Sequence, residues 1–283
     1  MYPVLIVHSG HTKEYAYKIS KKYKCVEFLE VTHPPTIDIL QKSTYADKII
    51  GIGGGSVLDT AKILARNKRC IAMPTTASGA AVTPFATVWG KKKISIETQK
   101  PILAIDSNMP IELSYRVKRS TISDALSHTI ESFWSANATV KSKKYSKKAF
   151  HLIDKYLKVA DIRTLIEIGI YAGRAIAITK TNIVHAASYP ISIEYNIDHG
   201  TACGMLLPYF VGYIDYKELP KMFNLKTNSE VANFLMSLFI FHKINNLDAR
   251  LVAEKALEYP KIKDGPKSAS KDNLIRILRN LKQ

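Results

Sequence analysis

Two kinds of residue in this sequence could do chemistry: a carboxylate and three imidazoles, and a run of three bare glycines. Asp124 and His128 in "SDALSHTIE" stand four apart on a predicted helix, so their side chains share one face. Taken alone, a capping aspartate and a core-edge histidine would account for that pair. A second pair is His185 in "NIVHAASYP" and His199 in "NIDHGTACG", with Pro190 between them. Pro190 is expected to end or kink the first helix, which puts the two histidines on different segments. One carboxylate and three imidazoles suit a divalent ion of the Fe²⁺ or Zn²⁺ type. The small residues Gly200, Ala202 and Gly204 would allow close packing around it. Spacing alone does not bring the four together.

The glycines lie in "KIIGIGGGSVLDTAKILA", Lys48 to Ala65. Ile49, Ile50 and Ile52 read as a buried strand, Gly53, Gly54 and Gly55 as a sharp turn, and Val57 to Ala65 as a helix. Ser56 as an N-cap with Asp59 as its capping-box partner would explain the turn without a ligand. A ligand explains more, because glycine amides beside a helix N-terminus leave N–H donors and a partial positive charge that suit a phosphate. The spacing is neither the G-x-G-x-x-G of the usual dinucleotide fold nor the G-K-[ST] of a P-loop.

The elements that must position these residues fall into two textures. Over the first hundred residues strand-like and helix-like segments alternate: "PVLIVHSG", "TKEYAYKISKKY", "CVEFLEV", "TIDILQKS", the glycine unit and "RCIAMPTT". That alternation implies βαβ units and a mostly parallel sheet. From about Ile111 long helical patterns take over: "STISDALSHTIESFWS", "SKKAFHLIDKYLKVA", "IRTLIEIGIYAGRAIAIT", "NSEVANFLMSLFIFHKI" and "LDARLVAEKALEY". The expected architecture is an α/β domain over residues 1–110 and an all-α domain over 111–283, with the site in a cleft between them. The lysine-rich tail after Pro260 reads as a solvated helix end.

The chain has 283 residues with 46% hydrophobic content, enough for a substantial core. Met1 to Val7 is too short for a signal-peptide core, and no run approaches the ~18 apolar residues of a membrane span. Cys25, Cys70 and Cys203 are odd in number and far apart, so neither a disulfide framework nor a thiolate metal site is indicated. A reducing, cytoplasmic setting is expected, without a membrane partner. The formal charge of +17 raises nucleic acid as a partner, with "VKSKKYSKK" the densest basic stretch. The lysines are spread over the whole chain and no aromatic-rich RNA motif accompanies them, so no nucleic-acid partner is expected. The positive field would steer an anionic substrate.

Taken together, "GIGGGSVLDTAK", "MPTTASGAAVTPFATVW", "DALSHTIESFWS" and "HAASYPISIEYNIDHGTACGMLLP" resemble the iron-containing (group III) alcohol dehydrogenases. That superfamily also holds glycerol dehydrogenase and dehydroquinate synthase. The resemblance implies a Rossmann-like domain binding NAD(P), a helical metal domain, and hydride transfer between a small aldehyde and its primary alcohol in the cleft. It implies Asp124, His128, His185 and His199 as ligands of Fe²⁺ or Zn²⁺. It places the pyrophosphate on Gly53, Gly54, Gly55 and Ser56, with Asp59 on the motif's acidic position. Thr75, Thr76 and Thr83 fall where family threonines line the cofactor, and Lys93 on a lysine position near it. A homodimer or higher homo-oligomer is also implied.

The departures are specific. The family usually has an extra strand ahead of this start and a longer helical end. "PTTASGAAVT" lacks the family's usual Gly-Ser-Glu and is one residue shorter. Where a second histidine usually follows His185 by four, near the nicotinamide, this chain has Tyr189, the candidate catalytic residue. "TPFATVW", "HTIESFWS" and "HAASYP" look most like the phosphonoacetaldehyde reductase (hydroxyethylphosphonate dehydrogenase) branch. A short aliphatic alcohol or polyol is the alternative substrate, and a compact non-catalytic binding relative is the rival of a different class. The first strand closes on His8, Ser9 and Gly10 without a carboxylate, and Lys13 is near, which favours NADP(H) over NAD(H). Glu14, a few residues on, would supply the carboxylate in the competing reading.

Overall fold

Apolar runs rich in Ile and Val form strands buried on both faces, and amphipathic segments between them form the covering helices. The computed structural model describes residues 3–238 and 243–282. Its strands are β1 (Val4–His8), β2 (Val26–Glu30), β3 (Lys48–Gly53), β4 (Arg69–Pro74), β5 (Phe85–Val88), β6 (Ile94–Glu97) and β7 (Ile102–Leu103). Five of them form a parallel sheet in the order β2-β1-β3-β4-β7, with His8 level with Glu30 and Ile52 across its top edge. Helix α1 (Lys13–Ser20) packs Tyr15, Ala16 and Ile19 on one face, against Ile6, Ile50 and Ile52. Helix α2 (Gly55–Ala65) packs Val57, Ala61 and Leu64 on the other, against Leu5, Val7 and Ile49.

Two local expectations change here. "TIDILQKS" forms only a 3₁₀ turn over Ile37–Gln41, a segment too short to bury a helical stripe. Strands β5 and β6 pair as an antiparallel hairpin that the sequence pattern did not reveal. The hairpin is tied to α2 from below: Asp59 accepts the Thr87 N–H at 3.0 Å, and the fully buried Lys62 pairs with Asp59 at 2.8 Å and donates to the Phe85 carbonyl. Helix α2 is capped at Gly54, not Ser56, so the Ser56–Asp59 capping box does not form.

The remainder is helical. It comprises α3 (Tyr115–Trp134), α4 (Val140–Val159), α5 (Ile162–Thr179), α6 (Ile183–Tyr195) and α7 (His199–Ile214), followed by α8 (Leu219–Met222), α9 (Asn228–Leu238), α10 (Ala249–Leu257) and α11 (Lys271–Arg279). Every residue of α3 from Thr121 to Trp134 is buried, so this helix runs through the middle of the bundle. Residues 239–242 of the predicted "NSEVANFLMSLFIFHKI" helix lie outside the described residues. The tail is not a solvated end: α11 turns Leu274, Ile277 and Leu278 into the main core and leaves its charges outside. Ala80, Ala81 and Val82, following β4, share a core with Ile166 and Ile170 of α5, which joins the sheet to the bundle. Among the described residues no helix is long and apolar enough to cross a membrane.

Candidate metal and dinucleotide cleft

Helices α3, α6 and α7 aim their polar side chains at one point. Asp124 lies midway along α3, and His128 follows one turn later on the same face. The capping reading of Asp124 is therefore excluded, because the helix begins at Tyr115 with Ser114 as its cap. His185 sits in the first turn of α6 and His199 is the first residue of α7. Pro190 does not end α6. The helix continues to Tyr195 and is broken at Asn196, whose φ of 50° is left-handed. The two histidines do come from different segments, but Asn196 separates them. Asp198 caps α7 by accepting the Thr201 N–H and hydroxyl, and it also accepts from Ser120 of α3. Gly200 makes that docking possible, because a Cβ there would collide with the Ser120 carbonyl.

Around the Asp124 Oδ1 the three imidazole Nε2 atoms stand at 3.5 Å (His128), 3.4 Å (His185) and 3.7 Å (His199). Asp124 Oδ1 and His185 Nε2 are buried with no hydrogen-bond partner. A buried carboxylate left so would cost several kcal/mol, and a divalent ion is the species that satisfies it and the imidazoles together. The residues present thus fit a bound metal. Burial opposes the Asp124 charge, yet the three imidazoles hold its carboxyl well below the usual carboxylate range. Burial draws His128 down to about 4 and His199 well below its ordinary value, with Lys93 adding to the latter, so both rings are in the neutral form a metal requires.

Behind this group stands a residue the sequence reading missed. Glu131, fully buried, accepts the N–H groups of Asn182 at 3.1 Å and Val184 at 2.7 Å, and its other oxygen takes the Nδ1 of His185. It therefore anchors the start of α6 and turns His185 Nε2 towards Asp124. The signal was available: Asp124, His128 and Glu131 recur at helical spacing, and a glutamate inside an apolar run needs a partner. Ser188 does the same for His199. Its hydroxyl donates to the His185 carbonyl and lies 3.3 Å from His199 Nδ1, which leaves Nε2 for the centre. A second missed residue is Cys203, one turn after His199, with Sγ 3.8 Å from His199 Nε2.

The centre opens into a cleft of about 700 Å³ between the sheet and the bundle. Gly55, Ser56, Asp59, Thr83 and Lys93 line it from one side, and Asp124, His128, His185, Tyr189 and His199 from the other. Gly53, Gly54, Thr75 and Thr76 lie behind that lining. Thr75 continues the β3–β4 ladder through its N–H to the Gly53 carbonyl, and Thr76 packs beside Gly54. Tyr189 stacks on His199 with ring centroids 5.2 Å apart, and Lys93 Nζ lies 4.1 Å from the Tyr189 ring centre. The Tyr189 hydroxyl faces Thr181, which is 3.0 Å from the Tyr259 hydroxyl. Burial draws Lys93 down to about 8, with Asp124 opposing. At the top of β1, His8 is buried and bonded to the Ser9 carbonyl. Glu30, exposed at the end of β2, brings its carboxylate to within 3.3 Å of where a Cβ on Gly10 would stand. A carboxylate from the neighbouring strand thus stands at the edge of the sheet where β1 has none.

Two family descriptions match this chain: iron-containing alcohol dehydrogenase over residues 3–106, and the C-terminal part of the Fe-containing alcohol dehydrogenase family over residues 119–238. The chain is 26% identical to the phosphonoacetaldehyde reductase of Streptomyces viridochromogenes, over 82% of this chain and 75% of that protein. It is 30% identical to long-chain-alcohol dehydrogenase 1 of Geobacillus thermodenitrificans, over 59% of this chain and 52% of that one, so the match spans about half of that relative's length. The fold superposes on the crystal structure of sulfoacetaldehyde reductase from Bifidobacterium kashiwanohense, solved in complex with NAD⁺, with a TM-score of 0.84 at 20% identity, covering 99% of this chain and 91% of that one. The chain belongs to the iron-containing alcohol dehydrogenase family.

Proposed function

We propose that this chain is a metal-dependent, NAD(P)-linked oxidoreductase that interconverts a small anionic aldehyde, such as phosphonoacetaldehyde, and its primary alcohol. The observation that carries the reading is the unsatisfied Asp124 Oδ1 ringed by three imidazole Nε2 atoms, in the wall of the cleft that the N-terminus of α2 also lines. Asp124, His128, His185 and His199 would hold a divalent ion, Fe²⁺ or Zn²⁺, and such an ion would supply Lewis-acid polarisation of the substrate oxygen. The chain's own residues do the rest. Gly53 to Ser56 offer backbone N–H groups and the helix dipole to the cofactor pyrophosphate. Thr83 and Lys93 line the path from there to the metal residues.

Tyr189, where the family has histidine, packs its ring on His199 and keeps its hydroxyl in the Thr181–Tyr259 row. Burial holds that phenol well above its ordinary pKa, so at neutral pH it is protonated and can pass a proton along the three hydroxyls. Lys93, Lys180 and Arg116 border the cleft and favour an anionic substrate, in keeping with the name of the Streptomyces relative. For the cofactor, the placement of Glu30 favours NAD(H) over the NADP(H) expected from the end of β1. A carboxylate beside Gly10 would bond a free ribose 2′-hydroxyl and repel a 2′-phosphate, so NAD(H) is the cofactor we assign.

The test is to strip the protein with a chelator, reload it with Fe²⁺ or Zn²⁺, and run an aldehyde panel including phosphonoacetaldehyde with NADH and NADPH. Metal-dependent turnover fastest on the anionic aldehydes is expected. Stoichiometric metal with no turnover of any aldehyde would favour the non-catalytic binding protein, and preference for short aliphatic aldehydes would overturn the anionic substrate alone.

A further inference from the structure

We infer that Lys180 is the residue that reads the charged end of the substrate. The oxyanion of a short phosphonate, sulfonate or carboxylate aldehyde would seat at the junction of α5 and α6 while its carbonyl faces the metal residues. The inference rests on the anionic-aldehyde reading above and names the contact that makes it specific.

Among the described residues, Lys93, Arg116 and Lys180 are the lysine and arginine side chains that border the cleft, and two of them are already matched. Arg116 pairs with Asp198 at 3.6 Å. Lys93 lies over the rings of Trp89 and Tyr189, 4.8 and 4.1 Å from their centres, with the Asp124 charge also acting on it. Lys180 is half-buried, and its ammonium rests 3.1 Å from the centre of the Phe85 ring, with no carboxylate among the described residues at ion-pair distance. An aromatic face compensates a desolvated cation only in part. Burial lowers the Lys180 pKa, with Glu97 of β6 opposing the shift and Lys261 adding to it.

The backbone points the same way. Lys180 has φ 62° and ψ 170°, a region almost confined to glycine. Both flanks are tied down, because the Thr179 hydroxyl bonds to Ser132 at 3.0 Å and the Asn182 N–H to Glu131 at 3.1 Å. Glycine would make that bend without strain, so what the lysine adds is its head group. The next residue gives the span. Thr181 Oγ1 lies 3.5 Å from the Tyr189 hydroxyl, and the Tyr189 ring stacks on His199. The length of the Tyr189 side chain thus separates this junction from the metal residues, and a short carbon chain between carbonyl and oxyanion bridges it.

The test compares the whole metal-loaded protein with two variants: Lys180→Gly removes head group and strain together, and Lys180→Gln removes the charge. In both, the ratio of kcat/KM for phosphonoacetaldehyde over propionaldehyde should fall roughly tenfold or more, mainly through KM. Ethylphosphonate, which has no carbonyl to reduce, should bind the NADH complex of the wild type in calorimetry and bind both variants about tenfold more weakly. Lys180→Gly should melt no lower than wild type. Ethylphosphonate binding that is absent from the wild type or equal in the variants overturns the proposal. Equal binding with a raised NADH dissociation constant would give the ammonium to a cofactor phosphate, and equal binding with a lowered melting temperature would give it to the Phe85 contact. A substrate ratio unchanged in both variants overturns the role of Lys180 and leaves the oxidoreductase reading standing. Weakened ethylphosphonate binding in the variants of a protein that reduces no aldehyde upholds Lys180 and overturns that reading.

Discussion

Gly53 to Ser56 reach the cleft as consecutive residues and offer backbone, whereas Asp124, His128, His185 and His199 reach it from three helices and offer side chains. The first arrangement is set by one turn between β3 and α2 and needs only that nothing project from it. The second exists only when α3, α6 and α7 are docked, which Glu131, Asp198 and Gly200 secure. The two walls should therefore fail differently: the glycine wall to added bulk, the metal wall to the loss of a single donor or of its support.

The largest effect tests that asymmetry at the metal wall. Asp124→Asn should remove bound metal and lower kcat/KM on the order of 10³-fold or more, since Lewis-acid stabilisation is worth several kcal/mol. Cofactor affinity, measured by fluorescence titration with the dinucleotide, should stay close to wild type. If the cofactor constant rises in step with the loss of metal, the walls are not independent and the contrast collapses.

Next in size is the support of the metal wall. Glu131→Gln keeps an oxygen for the N–H groups at the start of α6 but sets an amide N–H₂ against His185 Nδ1. The imidazole must then carry its proton on Nε2, where the ion would bind. Metal affinity should fall by about 10–100-fold, as for other residues that orient a ligand, with the helical circular dichroism retained. Equal metal content in Glu131→Gln and wild type after dialysis would show that the carboxylate serves α6 and not the centre.

The same contrast explains what could be read in the sequence. The glycine turn is local, and β3, its turn and α2 were legible from "KIIGIGGGSVLDTAKILA" alone, as was α5 over Ile162–Thr179. The four candidate metal ligands were legible as residue types suited to a divalent ion, but their convergence only through the resemblance, because nothing in their spacing fixes helix docking. Pro190 misled for a physical reason. Proline removes one helical bond and costs about 3 kcal/mol, yet α6 is held at its start by Glu131 and along its length by the core, so the helix persists. The β5–β6 hairpin was invisible because its stability comes from Asp59 and Lys62 on another element. Asp59, read as a cofactor residue from the motif, has both its oxygens engaged in that tie.

At the glycine wall the effect is intermediate. Gly54 has extended backbone that any residue adopts, and an added Cβ would meet the Thr76 side chain, its methyl at 3.2 Å and its hydroxyl at 3.4 Å. Gly54→Val should therefore fold, bind metal at the wild-type ratio, and raise the dinucleotide dissociation constant by roughly tenfold, the equivalent of ~1.4 kcal/mol. Unchanged cofactor affinity would count against the pyrophosphate lying there.

The smallest expected effect is the sharpest on the glycine side, because it concerns charge with no change of shape. The top of the sheet presents Ser9, Gly10 and Glu30 together, and Lys13 follows on α1. If the adenosine ribose rests at that edge, the Glu30 carboxylate accepts from its 2′-hydroxyl, and the same charge repels a 2′-phosphate. Replacing Glu30 by Gln keeps the size, weakens the first interaction and removes the second. Glu30 is exposed, so solvent screens both contributions. The ratio of kcat/KM for NADH over NADPH should thus exceed one in the wild type and fall by roughly three- to tenfold in Glu30→Gln, a difference of ~1 kcal/mol. The fall should come mainly from KM, since the ribose is remote from the reacting carbon, and it should shrink at high salt. Wild-type preference for NADPH would return the choice to Ser9 and Lys13, and a ratio indifferent to Glu30→Gln would place the ribose elsewhere along the edge.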